Sequence, residues 1–102
     1  MIRIRFTQDR NGQLSGFCVR GHAQFAESGK DIVCAAVSSA VYMAANTVTE
    51  VLGLSPELSE RDGKLSLSLS DSEAPAAQAV LEGLRLHLQA LYTQYPDYIT
   101  MD

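Results

Sequence analysis

The chain opens on alternation. Ile2, Ile4 and Phe6 are interleaved with Arg3 and Arg5, the two-residue period of a strand with one face on a core. Asn11-Gly12 follows, a pair suited to a tight hairpin, and predicts an antiparallel return. In that second strand Phe17 and Val19 point one way, and Cys18, Arg20 and His22 the other. Leu14 is out of phase with Phe17 and Val19, which predicts a bulge near Ser15-Gly16. Ala23 to Lys30 keeps neither period, contains Gly29, and reads as a loop. Beyond it the period changes: Val33, Val37, Val41, Ala44, Val48 and Val51 recur at helical spacing, with Gly53 as a stop. Asp31 is a candidate N-cap for this helix and places Cys34 in its first turn.

The second half repeats the plan. Leu58 belongs to a short strand, Asp62-Gly63 makes another hairpin turn, and Leu65, Leu67 and Leu69 alternate with Ser66, Ser68 and Ser70. Asp71, Ser72 and Glu73 form an acidic entry to a second helix, where Pro75 is tolerated in the first turn. Its buried stripe is Ala77, Val80, Leu81, Leu84, Leu88, Leu91 and Tyr95, and Pro96 ends it. Tyr98 to Met101 then forms a last strand. The order is ββαββαβ. Residues 1–102 are expected to make one α+β domain, a two-layer sandwich with a mainly antiparallel sheet and two helices on one face. The other sheet face carries Arg3, Arg5, Ser66 and Ser68 and is either solvated or set against a partner.

Composition narrows the function classes. Twelve acidic and eight basic residues give a net charge of −4. A dedicated nucleic-acid binder normally shows a basic stripe, so no direct nucleic-acid contact is expected. A basic peptide remains a suitable partner. No apolar run is expected to approach the roughly 20 residues a membrane span needs, and MIRIRFTQ lacks a signal-peptide layout, which points to the cytoplasm and away from membranes. The two cysteines, Cys18 and Cys34, make no disulfide framework and have no metal-type spacing. Both are expected as free thiols, with no metal and no cofactor.

The chemistry concentrates in GHAQFAESGKDIVCAAVSS, Gly21 to Ser39. His22 ends a strand and Cys34 follows twelve residues later near a helix start. Unpaired N–H groups and the macrodipole at such a start favour a thiolate and can serve as an oxyanion hole. A lone helical cysteine is otherwise a small buried hydrophobe. Here it lies one residue off the valine stripe, bordering the core. His22 can take the thiol proton and return it to a leaving amine. Asp31 has two readings, helix cap or third member that orients the imidazole. Ser38, four residues after Cys34, shares its helix face and either joins the site or bonds back to a helix carbonyl. Cys18 lies about 13 Å along the strand from His22, too far for a dyad. His87 sits beside the second helix's leucine stripe without a catalytic partner.

GHA followed by G-x-DIVCAAVS resembles the bacterial ribosomal-processing cysteine protease family, Prp. The likeness is tight over Gly21 to Ser39 and rests elsewhere on length and element order. It implies Cys34 and His22 as the catalytic pair, with Asp31 and Ser38 in the same motif. It also implies a substrate, the N-terminal extension of large-subunit ribosomal protein L-twenty-seven, and a homodimer. The segment Ala23 to Lys30 would then move for substrate entry. Gly21 and Gly29 would be hinge or close-approach positions, or else ordinary turn glycines. Phe25 would touch substrate or pack on the body. The rival class is a non-catalytic ribosome-associated binding protein, whose cysteine is a core residue or redox target.

Overall fold

The computed structural model describes residues 1–21 and 28–102, with the backbone alone for 28–31. The elements are β1 (Ile2–Gln8), β2 (Leu14–Arg20), α1 (Ser28–Asn46), β3 (Glu57–Arg61), β4 (Lys64–Ser68), α2 (Gln78–Gln94) and β5 (Ile99–Met101). They fall in the ββαββαβ order the periodicity predicts. The sheet runs β3-β4-β2-β1-β5, antiparallel except where β5 lies parallel to β1.

Alternation decides which face closes. Ile2, Ile4, Phe17, Val19, Leu65 and Leu67 are buried on one side of the sheet. They meet Val33, Val37, Val41 and Val48 of α1 and Leu81, Leu84 and Leu88 of α2, all buried in the same core. In β1 and β2, Thr7 faces Gly16 while Gln8 faces Leu14, so Ser15 is the extra residue of the predicted bulge. The bulge restores phase, and Leu14 enters the core. Gln78, the first residue of α2, fastens it there. Its side-chain Oε1 accepts from the Leu14 N–H at 3.0 Å, and its Nε2 donates to the Leu14 carbonyl at 2.6 Å.

The second hairpin turns at Asp62 (φ +52°) and Gly63 (φ +73°), two left-handed residues in succession, as a two-residue I′ turn requires. β3 is an edge strand with every residue exposed, Leu58 included. A 3₁₀ turn over Ala74–Ala77 carries Pro75 at its start and leads into α2.

Three expectations need correction. First, α1 begins at Ser28, so Gly29 and Lys30 are helical and Asp31 is the fourth helical residue, not the cap. The apolar stripe starts only at Val33, and a reading by period therefore opens the helix a turn late. Gly29 in the first turn costs only about 1 kcal/mol and does not stop it. Second, Val51 is 76% exposed. Thr47–Val51 forms a π turn, in which the Leu52 N–H reaches back five residues to the Thr47 carbonyl at 2.9 Å. The wider turn rotates Val51 off the stripe after Val48. Third, Ile32–Val51 is long and apolar enough to cross a membrane, with a mean hydropathy of 1.5. In the fold its valine face is spent on the sheet, while Ile32, Tyr42 and Met43 remain exposed.

Candidate active site

Strand β2 ends at a fixed crossing. Gly21 has φ +89°, and a Cβ placed there would stand 2.2 Å from the Met1 carbonyl oxygen. Its N–H donates to the Gly63 carbonyl at 3.2 Å. Backbone from β1's start and from the β3–β4 turn thus closes on Gly21 from two sides. His22, Ala23 and Phe25 lie outside the described residues, as do the surroundings of Gly29 and the side chain of Asp31.

Cys34 is the seventh residue of α1, in its second turn. Val33 and Val37 are completely buried beside it, whereas Cys34 itself is half-buried and packs against the core's margin. The thiol borders the core without being sealed in it. Its position also changes the electrostatic argument. The free N–H groups of a helix belong to its first turn, and the macrodipole's influence fades over that distance. A thiolate at Cys34 therefore depends more on a neighbouring cation than a first-turn position would require.

Cys34, Ser38 and Tyr42 follow at i, i+4 and i+8 and form one ridge along α1. The ridge's direction is set by its last member: the Tyr42 hydroxyl donates to Glu60 Oε2 on β3. At its Tyr42 end the ridge therefore faces β3. The opposite flank, with Ala36, Ala40 and Met43, faces α2. That hydrogen bond, then partial burial, then the Glu60 charge raise the Tyr42 phenol above its ordinary value. Periodicity did not single out Tyr42 or Glu60. The signal was present as a polar i, i+4, i+8 row beside the valine stripe, and only the pairing of β3 supplied its partner.

The remaining candidates separate. Cys18 lies opposite Arg5 and Ser66 on the sheet face turned away from α1, with the sheet itself between the two thiols. Both cysteines are free. His87 is exposed on α2 and lines the groove between the helices, together with Met43 and Leu84.

A family model described as "Cysteine protease Prp" matches residues 1–100. The Bacillus subtilis ribosomal processing cysteine protease Prp is 31% identical over 103 residues, covering 95% of this chain and 92% of its own length. A crystal structure of the Staphylococcus aureus essential ribosomal processing protease Prp in complex with a substrate peptide superposes with a TM-score of 0.89. It is 25% identical and covers 100% of this chain and 98% of its own. A second S. aureus Prp structure, with a covalently linked product peptide, gives a TM-score of 0.86 at 26% identity over the same shares of the two chains.

Proposed function

The chain belongs to the Prp family of cysteine proteases, and from that premise we propose that it removes the N-terminal extension of large-subunit ribosomal protein L-twenty-seven through Cys34 and His22. The observation that carries the assignment of the nucleophile is the placement of Cys34. It is half-buried at the core's edge, in a segment matched end to end by the family model.

The Cys34 thiolate attacks the scissile carbonyl carbon, and the carbonyl oxygen takes up the negative charge of the tetrahedral intermediate. His22, charged while the thiolate waits, gives its proton to the leaving amine. The acyl-enzyme is then hydrolysed by water that His22 deprotonates. A covalent link to a product peptide in the S. aureus relative supports a thiol mechanism of this kind. With α1 starting at Ser28, Asp31 is released from the cap, and its position one turn before Cys34 supports the role of orienting the imidazole. Ser38 lies on the same ridge and supports the substrate backbone or the site around it. Gly21, Ala23, Phe25 and Gly29 belong to the segment that admits the peptide.

The enzyme works in the cytoplasm as a homodimer. An apolar groove of about 610 Å³ between α1 and α2, lined by Ala36, Ala40, Met43, Val80, Gly83 and Leu84, supports pairing through the helix layer.

Incubation with a peptide carrying an aromatic-ended extension, read by mass spectrometry, tests the assignment. Intact protein should cleave at one bond, and Cys34→Ala and His22→Ala should leave the peptide whole. Binding without cleavage by folded, intact protein would return the chain to the non-catalytic, ribosome-associated class.

A further inference from the structure

The sheet assembles a basic row that the net charge conceals. Across the outer face, Arg3 pairs with Arg20, Arg20 with Lys64, and Lys64 with Arg61. Arg3, Arg20 and Lys64 each adjoin a buried inward residue and point to the uncovered face. Arg61 follows Glu60, which meets Tyr42 on the inner side, so Arg61 also points outward. All four are exposed. At the spacing of neighbouring strands the row spans about 14 Å. Arg5 lies one register step away, so five of the chain's eight Lys and Arg residues share this face.

Like charges set directly opposite one another destabilise a sheet, and here three consecutive pairs are cationic. Among the described residues none of the four is in an ion pair, while Arg5 meets Asp102 at 3.7 Å. The only acid on the face from β3 is Glu57, at the strand's far end from Arg61. Arg3, Arg5, Arg20 and Lys64 line a small cleft of about 100 Å³ with Ile4, Cys18 and one carboxylate, Asp102, which is the partner of Arg5.

We propose that this row binds the phosphate backbone of structured RNA. Three of its four members are arginines, whose planar forks suit phosphate oxygens. Between and beside them, among the described residues, the strands present Ser59, Ser66 and Thr100 on this face and no aromatic side chain for bases to stack on, which favours contact with the phosphate backbone independent of sequence. A membrane surface would call for large exposed apolar or aromatic residues between the cations, and among the described residues the four positions of the row have none between them. A second copy docked face to face would oppose cations to cations. The choice of RNA over another polyanion rests on the ribosomal-processing character of the relatives; the row itself does not.

The test uses the full chain and a labelled RNA duplex of arbitrary sequence, followed by fluorescence anisotropy from low to moderate salt. Binding should weaken linearly on logarithmic axes. A triple Arg3→Ser, Arg20→Ser, Lys64→Ser variant should lose about ten-fold or more in affinity and about one unit of salt slope per cation. A double Arg10→Ser, Arg85→Ser variant should behave as wild type. The triple variant's unfolding midpoint should equal or exceed wild type, because repulsion has been removed. A single Lys64→Gln variant gives a milder loss in the same assay. RNA binding unchanged in the triple variant, or wild-type protein that binds only anionic vesicles or polyglutamate, overturns the proposal. Peptide cleavage is measured on the same samples. Cleavage without RNA binding sinks the RNA surface alone, and RNA binding without cleavage sinks only the protease reading.

Discussion

The side-chain amide of Gln78 takes the place of a strand for Leu14, accepting from its N–H and donating to its carbonyl across 64 positions of sequence. The same Nε2 donates to the Ala74 carbonyl at 2.8 Å, so one side chain joins the bulged hairpin to the start of α2. Gln78→Leu keeps the volume and removes all three bonds, leaving part-buried backbone groups without partners. The expected loss is about 2 kcal/mol, and a fall in unfolding midpoint of roughly 8–16 °C. Thermal denaturation checks it.

Gly21 and Gly83 should answer alanine in opposite directions. At Gly21 a Cβ meets the Met1 carbonyl oxygen in a left-handed backbone, and Gly21→Ala should cost more than about 2 kcal/mol. At Gly83, inside α2, a Cβ meets nothing within 4 Å, and Gly83→Ala should stabilise by about 0.5–1 kcal/mol. Denaturant unfolding of the two variants reads both signs.

Cys34 should alkylate faster than Cys18 at neutral pH, and His22→Ala should slow Cys34 while leaving Cys18 unchanged. The two thiols are similarly half-buried, so exposure alone does not order them. Iodoacetamide labelling followed by peptide mapping measures both. The reverse order would remove the activated thiolate from the mechanism.

The Tyr42–Glu60 contact has a pH signature. The folded-state phenol pKa is raised, so the folded chain holds this proton more tightly than the unfolded chain. The associated stability is complete below the ordinary tyrosine value near 10 and disappears as pH climbs through the raised one. Ultraviolet titration at alkaline pH should show one late phenol in wild type, moved back toward the ordinary value by Glu60→Gln and absent in Tyr42→Phe.

Substituting Met43→Glu places a charge in the groove between α1 and α2. If pairing runs through the helix layer, light scattering should show the variant as a monomer at concentrations where wild type is a dimer. An unchanged mass would move the interface elsewhere.

Much of this fold is written in local periods. Ile2, Ile4, Phe17, Val19, Leu65 and Leu67 reach the core because alternation needs no information beyond neighbours. The Ser15 bulge was visible too, as a phase error at Leu14. What local pattern could not carry was anything set by partners far along the chain. The Gln78–Leu14 pairing, the Tyr42–Glu60 bond and the Arg3–Arg20–Lys64–Arg61 row each need two or more elements placed first. The start of α1 was missed for another reason: its first turn precedes the apolar stripe, so no period marks it. The Gly21–Ser39 run identified the family because its residues are chemically specific, whereas the net charge of −4 hid a local excess of the opposite sign.

The π turn at Thr47–Val51 bears on how this chain tolerates changes in length. A helix that accommodates i+5 bonding in one turn has absorbed a residue without shifting Val33, Val37, Val41 or Ala44 from the core. The slack sits at the end of the helix remote from Cys34. A residue added or removed between Thr47 and Gly53 should therefore leave the buried seam of the nucleophile's helix in register, since Val33 to Ala44 precede the change.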